Sequence, residues 1–430
     1  MVEKLTVPGY KLTEIGEIPA EWKLGTLTSV TENENDIIAG PFGSNLKVSD
    51  YTNVGVPIIR LQNVAPNSFI FKDIKYIGKE KAKELNYHSF IAGDIVLAKL
   101  GDPIGVSCVI PPELPHGIVV ADVVRIRVSD KKVDKHFIVQ SLNSPMCLQQ
   151  LRLAKIGSTR PRVNLSDVRN IKLILPALKE QQKIAEILSY TDSLIESLDL
   201  LISKKKNIKQ GLMQTLLTRG IGHKKFKKTE LGEIPEDWAI KHLGELTNVT
   251  SGFGFPIRYQ ERHTGAIPFF KVNDLNASRK VATKSNNYID EAILRALKAK
   301  AYPKGTIIFP KIGMSVYLNK YRILGVDATF DNNVAGVIPL FINGEFLYYY
   351  FAGRIKLKTL SGESALPSIR KSTLQKLKVP VPPNVEQESI SNILTNLDKE
   401  IQSLEQKRDK FKLLKTGMMQ QLLTGRIRVK

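Results

Sequence analysis

Cysteine is nearly absent: the 430 residues hold two, Cys108 and Cys147, far apart and with no histidine at ligand spacing. That pattern excludes a disulfide framework and a cysteine-bound metal. Both thiols read as small buried hydrophobes in a reducing, cytoplasmic setting. No stretch of 18 apolar residues occurs, so no membrane span is expected. The opening Met1-Val2-Glu3-Lys4-Leu5 lacks the basic and apolar segments of a secretion signal, and no lipidation signature is present. The six histidines include no H-x-x-x-H pair, which argues against a zinc centre. There is no G-x-x-x-x-G-K-[ST] phosphate loop, no Gly-rich methyl-donor loop and no Asn/Asp-Pro-Pro-Tyr/Phe methylation motif; Val381-Pro382-Pro383-Asn384 is a strand exit. Glu405-Gln406-Lys407 has a nuclease-like spacing but falls on a heptad helix without a Pro-Asp partner. No catalytic centre, metal site or cofactor site is therefore expected in this chain.

Positive charge is what the chain has in excess. Its 63 Lys+Arg against 42 Asp+Glu give +21, which makes a polyanion the natural partner, and nucleic acid leads over a membrane surface. A hydrophobic content of 42% with 24% charged residues describes an ordinary folded protein, and the length points to two or three domains.

The chain also repeats itself. Thr13-Glu14-Ile15-Gly16-Glu17-Ile18-Pro19-Ala20-Glu21-Trp22 returns 216 residues later as Thr229-Glu230-Leu231-Gly232-Glu233-Ile234-Pro235-Glu236-Asp237-Trp238. Gly93–Gly101 returns 212 residues later as Gly305–Gly313, and Pro161–Gly220 aligns without a gap onto Pro367–Arg426. Each half begins with a stretch rich in Gly, Pro, Asn and short β-branched runs such as Ile95-Val96-Leu97 and Val123-Val124-Arg125-Ile126-Arg127-Val128, the texture of a mixed α/β globule. Pro176 and Pro382 then end a strand, and Glu180-Gln181 and Glu386-Gln387 open long segments without proline.

Both long segments carry a 3.5-residue period, the mark of a coiled-coil seam. The first row runs Ile184, Ile187, Thr191, Leu194, Leu198, Leu201, Lys205, Ile208, Leu212, Thr215. The second runs Ile390, Ile393, Leu397, Glu400, Leu404, Lys407, Phe411, Leu414, Met418, Gln421. Their few polar members read as a register device or a wet end of the seam. Nearly forty residues of helix span about 55–60 Å. Gly220-Ile221-Gly222 breaks the first helix, and His223-Lys224-Lys225-Phe226-Lys227-Lys228 links the halves. If the halves relate by a pseudo-two-fold axis, the helices run antiparallel and act as a spacer between two heads.

With the Gly-Glu-Ile-Pro-x-x-Trp openings at Gly16 and Gly232, the Glu-Gln helix starts and the ends Gly211-Leu212-Met213-Gln214 and Gly417-Met418-Met419-Gln420, the sequence resembles the specificity subunits of Type I restriction–modification systems. The resemblance covers nearly the whole chain, twice over and in the family's order. It implies two target-recognition domains, 1–178 and 229–384, each reading half of a split, asymmetric site in double-stranded DNA. It implies a spacer helix at 179–220, a linker at 221–228, and a second spacer helix with a C-terminal tail at 385–430. The implied partners are two methyltransferase subunits and restriction/translocase subunits, with S-adenosylmethionine, ATP and Mg held by those partners and no cofactor here. The expected fold is thus α/β (mixed α+β), two similar globules separated by a long antiparallel two-helix coiled coil, an internal pseudo-two-fold repeat.

Base-reading residues do not transfer from relatives, so candidates come from chemistry. Gly40–Lys47 and Ser251–Arg258 are Gly-rich loops with a terminal cation, suited to approaching a phosphate, which brings forward Asn45, Lys47 and Arg258. Arg60, Gln62 and Asn63 stand just past a strand where the second half has Lys271 and Asn273; Arg, Gln and Asn pair with guanine and adenine edges. Lys99 and Lys311 keep their charge in both repeats, and Arg160, Arg162 and Arg370 precede the helices where a cation can face a duplex. Each of these has an ordinary reading as a structural turn or surface polar residue. Lys204-Lys205-Lys206 reads as a solubilising or DNA-steering run. Leu188, Ile195, Leu394 and Ile401, flanking the seams, are expected to face water and dock methyltransferase helices.

A self-sufficient restriction or modification enzyme is argued against by the missing motifs, and an orphan two-headed DNA-binding scaffold is the remaining alternative. The charge makes a direct prediction. Affinity for duplex DNA is expected to fall by orders of magnitude between about 50 and 200 mM salt if six or more phosphates are neutralised. A flat salt response in binding titrations would count against nucleic acid as the partner.

Overall fold

The computed structural model describes residues 8–41, 43–157, 161–362 and 367–429. The chain divides into two compact units, Met1–Asp199 with Gln406–Lys430, and Leu200–Glu405. Both dividing points fall inside a long helix, Leu178–Arg219 or Asn384–Leu422. Each unit therefore owns one globule, the beginning of one long helix and the end of the other.

In the first unit Ser107–Val109, Ile95–Ala98, Val123–Ile126 and Ile37–Ala39 form, in that order, an antiparallel sheet. Ile95–Ala98 is buried along its whole length, as a continuous β-branched run covered on both faces should be. A second, mixed sheet pairs Val56–Ile59 in parallel with His116–Val119, with Ile58 opposite Ile118.

The second unit repeats this wiring. Ile307–Pro310 lies between Arg322–Leu324 and Val334–Pro339, which in turn pairs with Thr247–Ser251. Ile267–Phe270 pairs in parallel with Thr329–Phe330, placing Phe269 opposite Thr329. The expected repeat is thus present in strand order and in register. One boundary differs: Phe226–Thr229 pairs with Gly232–Pro235, so part of the expected linker is already a strand of the second globule.

The long helices pack by a row that is half the expected one. Ile184, Leu188, Thr191, Ile195, Leu198, Ile202, Lys205, Lys209, Leu212 and Leu216 are all buried or half-buried. So are Ile390, Leu394, Leu397, Ile401, Leu404, Arg408, Phe411, Lys415, Met418 and Leu422. Ile187, Leu201, Ile208, Ile393 and Leu414, expected in the seam, are exposed. Within the first unit Arg408 meets Asp199 at 3.1 Å and Lys415 meets Asp192. Within the second, Lys205 meets Glu400 and Lys206 meets Glu405 at 2.7 Å, and Lys209 meets Asp398 at 2.6 Å. From Asp192–Lys415 to Asp199–Arg408, and from Lys206–Glu405 to Lys209–Asp398, residue numbers rise along one helix as they fall along the other, so the segments are antiparallel in both units. Two of the three lysines at 204–206 are thereby paired across helices.

Each helix start is clasped into its globule by the repeated Glu-Gln. Glu180 accepts from Trp22 Nε1 at 3.1 Å and from Arg428 Nε and a terminal guanidinium nitrogen at 2.7 and 2.8 Å. Glu386 accepts from Trp238 Nε1 at 2.9 Å and from the Ile221 amide at 2.8 Å, and it faces His223 Nε2 at 2.9 Å. Gln181 accepts from the Asp134 amide and donates to the Pro176 carbonyl; Gln387 does the same with Asn343 and Pro382. Asp134 and Asn343 are N-caps of equivalent helices, Lys135–Leu142 and Gly344–Arg354.

Burial alone would raise the Glu180 carboxyl, but Arg428, Trp22 and the Val429 amide outweigh it and hold the group below the ordinary carboxylate value. A depressed folded value stabilises the fold above the unfolded-state value, about 4.3 for glutamate, and that contribution is lost as pH falls through the folded value. Arg428→Ala is therefore expected to destabilise the first unit at pH 7 by about 2–3 kcal/mol, the worth of hydrogen bonds to a charged group. Denaturant unfolding of the variant should approach that of the parent as pH drops below about 4. A difference that persists at low pH would show that packing of Arg428 on Trp22, not the carboxylate, is responsible.

Candidate DNA interface

The two polar stations lie just past the parallel strands, Arg60–Asn63 after Val56–Ile59 and Lys271–Asp274 after Ile267–Phe270. Their fourth residues turn inward. Asn63 is fully buried, accepts from the Arg60 amide at 3.0 Å and donates to the carbonyls of Ile70 and Lys72 at 2.9 and 3.0 Å. Asp274 accepts from the Lys271 amide at 2.7 Å and the Asn286 amide at 2.9 Å. Asn63, expected to read a base, is thus a turn-holding residue with its amide fully used, as is its counterpart Asp274.

The outward residues differ between the halves. Arg60 and Gln62 both donate to Asp73, which also pairs with Lys75 at 2.9 Å. Lys75 and then Arg60 hold the Asp73 carboxyl well below its usual range. In the second half Lys271 donates to Gln260 at 2.7 Å, while the exposed Asn273 side chain has no hydrogen-bond partner among the described residues.

The Gly-rich loops have a different explanation from the expected one. A Cβ on Gly40 would lie 2.1 Å from the Val120 carbonyl carbon, and one on Gly252 would lie 2.0 Å from the Asp331 oxygen. Glycine is required there because the loop presses on its own neighbouring strand. Asn45, Lys47 and Arg258 nevertheless stand exposed, Arg258 with its guanidinium 4.8 Å from the Tyr259 ring centre.

The structure brings the strand-end lysines to the cations that precede the helices. Val163 N donates to Lys99 O at 3.1 Å and Ile369 N donates to Lys311 O at 2.9 Å, so Lys99 neighbours Arg162 and Lys311 neighbours Arg370 at the same junction. Arg162 and Arg370 are exposed. Lys311 donates to Ser251 Oγ at 2.8 Å; burial lowers its affinity for a proton, opposed by Asp331. Arg160 lies outside the described residues.

Three of the four expected docking residues are used internally. Leu188 and Leu394 are fully buried in the globule cores and Ile401 is 7% exposed, leaving Ile195 half-buried. The apolar residues that do face out are Ile187, Tyr190, Leu413 and Leu414 in the first unit, and Leu200, Leu201, Ile208, Val385 and Ile393 in the second. His223, Asp237 and Glu386 lie close enough together to hold a metal ion. The two ring nitrogens face different carboxylates, Nδ1 toward Asp237 at 3.4 Å and Nε2 toward Glu386 at 2.9 Å, so the imidazole bridges the acids rather than converging with them on one point. The Trp–Glu pairing leaves a signal in the sequence, since both partners recur in both halves; nothing in the sequence marks Asp73 or Asn286.

The Type I restriction modification DNA specificity domain model matches the chain twice, over residues 19–210 and 235–412. The chain is similar to the putative type I restriction enzyme MjaX specificity subunit of Methanocaldococcus jannaschii, 26% identical with 98% of this chain and 97% of that protein aligned. The MjaIX specificity subunit of the same organism is 25% identical, with 98% and 96% aligned. Among solved structures the S subunit of a Type-I restriction-modification system from M. genitalium matches with a TM-score of 0.58 at 17% identity, covering 97% of this chain and 99% of that one. That last likeness bears on the fold alone.

The inward and outward residues of one station should separate experimentally. Asn63→Ala strands a buried amide and two carbonyls, so a loss of about 2–3 kcal/mol in denaturant unfolding is expected. Gln62→Ala, at an exposed position, is expected to change stability by less than about 0.5 kcal/mol. Equal losses at the two positions would overturn the division.

Proposed function

This chain belongs to the Type I restriction modification DNA specificity family, and from that premise we propose that it reads a bipartite, asymmetric site in duplex DNA, one half-site per globule. The observation that carries the proposal is that the two globules repeat strand order and register while presenting different outward residues at one station, Arg60 and Gln62 against Lys271 and Asn273. Two different half-sites require such a difference. Lys99, Arg162, Lys311 and Arg370, with Asn45, Lys47 and Arg258, supply phosphate contacts that set affinity without selecting sequence. Methylation and cleavage fall to methyltransferase and restriction–translocase subunits, which hold S-adenosylmethionine, ATP and Mg, in the cytoplasm where the DNA is.

Exchanging residues 229–384 for those of a relative, expressed with the partner subunits and read by methylome sequencing, is expected to change one half-site and leave the other. A change in both half-sites would overturn modular reading. The same experiment addresses the orphan alternative, in which no methylation depends on the chain.

The methyltransferase helices dock, in this proposal, on the outward apolar residues rather than on the buried row. Leu413 is 75% exposed and Leu201 38%, so Leu413→Asp with Leu201→Asp should leave the subunit folded and DNA-binding while methylation is lost. Ile401→Asp, by contrast, puts a charge at a buried position and is expected to destabilise the chain itself by about 3 kcal/mol or more. Co-purification of each variant with the methyltransferase, beside its melting curve, separates the two effects; wild-type methylation by the double variant would refute this docking face.

A further inference from the structure

The geometry points to Asn273 and Asn286 as the residues through which the second globule reads adenine, an assignment that rests on the DNA-reading function proposed above. They line one polar cavity of about 170 Å³, together with His263, Glu261 and the amide-bearing wall of Gln260 and Asn287. Pockets that enclose a drug-sized molecule run to about 300–1,000 Å³, so this one suits the edge of a base rather than a whole ligand.

Its polar groups fall into two sets. Those that build the wall are occupied: Lys271 donates to Gln260, Gln260 donates to the Phe255 carbonyl, and Asn287 Oδ1 accepts from the Glu261 amide at 2.8 Å. Glu261 itself stands at φ 62°, and Gln260, Glu261 and His263 all line the cavity. The side chains of Asn273, Asn286, His263 and Glu261 have no partner among the described residues and are exposed. A carboxamide offers a donor and an acceptor side by side, matching adenine N7 and N6; this is the bidentate pairing that selects adenine in the major groove. At the equivalent station of the first globule the Gln62 amide is already donated to Asp73, so the two half-sites are not read by the same chemistry.

A second observation sets cations beside the cavity. Asp274 and Asn286 form a shared wall with a larger open cleft of about 720 Å³, which is also lined by Arg279, Lys284 and Lys399. Arg279 keeps only a 3.8 Å pairing with Glu405, and Lys284 and Lys399 are exposed and unpartnered among the described residues. A base-edge reader flanked by two unpaired lysines and the weakly paired Arg279 is what a duplex needs: bases specify and phosphates position.

The test uses the full chain with its methyltransferase subunits and duplexes randomised across both half-sites, sequenced after selection by binding. Asn273→Asp and Asn286→Asp keep the shape but replace the amide donor with an acceptor, which opposes adenine N7 and favours the cytosine amino group. Each is expected to lower the adenine preference at one position of one half-site on the order of ten- to a hundredfold, with the other half-site intact. Lys284→Ala and Lys399→Ala should weaken all sequences alike and reduce the salt slope by about one each. An unchanged half-site in both Asn→Asp variants overturns the assignment, as does loss of a preference for a base other than adenine. If the parent chain itself selects no bipartite site, the proposed function fails before this inference is reached.

Discussion

A carboxylate taken out of water must be met by donors, and two such carboxylates organise this molecule. Glu180 and Glu386 open the long helices, and each is met by the indole of its own globule and by chain that has just left the other long helix. In the first unit that chain supplies the fixed charge of Arg428; in the second it supplies a backbone amide and His223. Three remote segments thereby become one structure at each site, and helix ends join the globule core: Ile184, Leu188 and Leu422 in one, Leu216, Ile390 and Leu394 in the other. Neighbouring Gln181 and Gln387 extend the hold to the N-cap of a globule helix, which is why Glu and Gln recur together.

That constraint decides which helix face remains available. At each fork of the heptad the sequence offers two adjacent residues, 187 or 188, 208 or 209, 414 or 415. Counting apolar residues favours Ile208 and Leu414. The structure half-buries Lys209 and buries Lys415 instead, because each finds an aspartate, Asp398 and Asp192, on the antiparallel segment beside it. Period was therefore legible and phase only half so: hydrophobicity names a row, but the pairing of charges across an interface is invisible until the partner segment is known. The row that carries these lysines packs inward, and Ile187, Ile208 and Leu414, which it displaces, face outward.

The same distinction governs what could be read of the recognition surface. The duplication, the mixed α/β texture and the two long helices were legible because they recur and because strand and helix periods differ. Inward turns of the polar stations were not. Asn63 and Asp274 are polar residues in an exposed-looking string, and only the hydrogen bonds to Ile70, Lys72 and the Asn286 amide show that both hold a turn. Gly40 and Gly252 misled in the same way, since a glycine that lets a strand approach looks in sequence like one that lets a phosphate approach.

These cases share a cause. Where the two halves agree, at Trp22 and Trp238, Gly40 and Gly252, or the amide-capping fourth residue of each station, the side chain is committed to its own fold. Where they disagree, at Gln62 and Asn273 or at Asp73 and the open cavity beside Asn286, the side chains lie on short turns after the strands, outside the backbone ladders. Substitution there leaves strand register untouched, because register is held by Ile58 opposite Ile118 and Phe269 opposite Thr329, one layer beneath. A scaffold built this way can change the side chains on these turns without changing how it folds, and comparison of its own two halves distinguishes the residues that hold the fold from those free to differ.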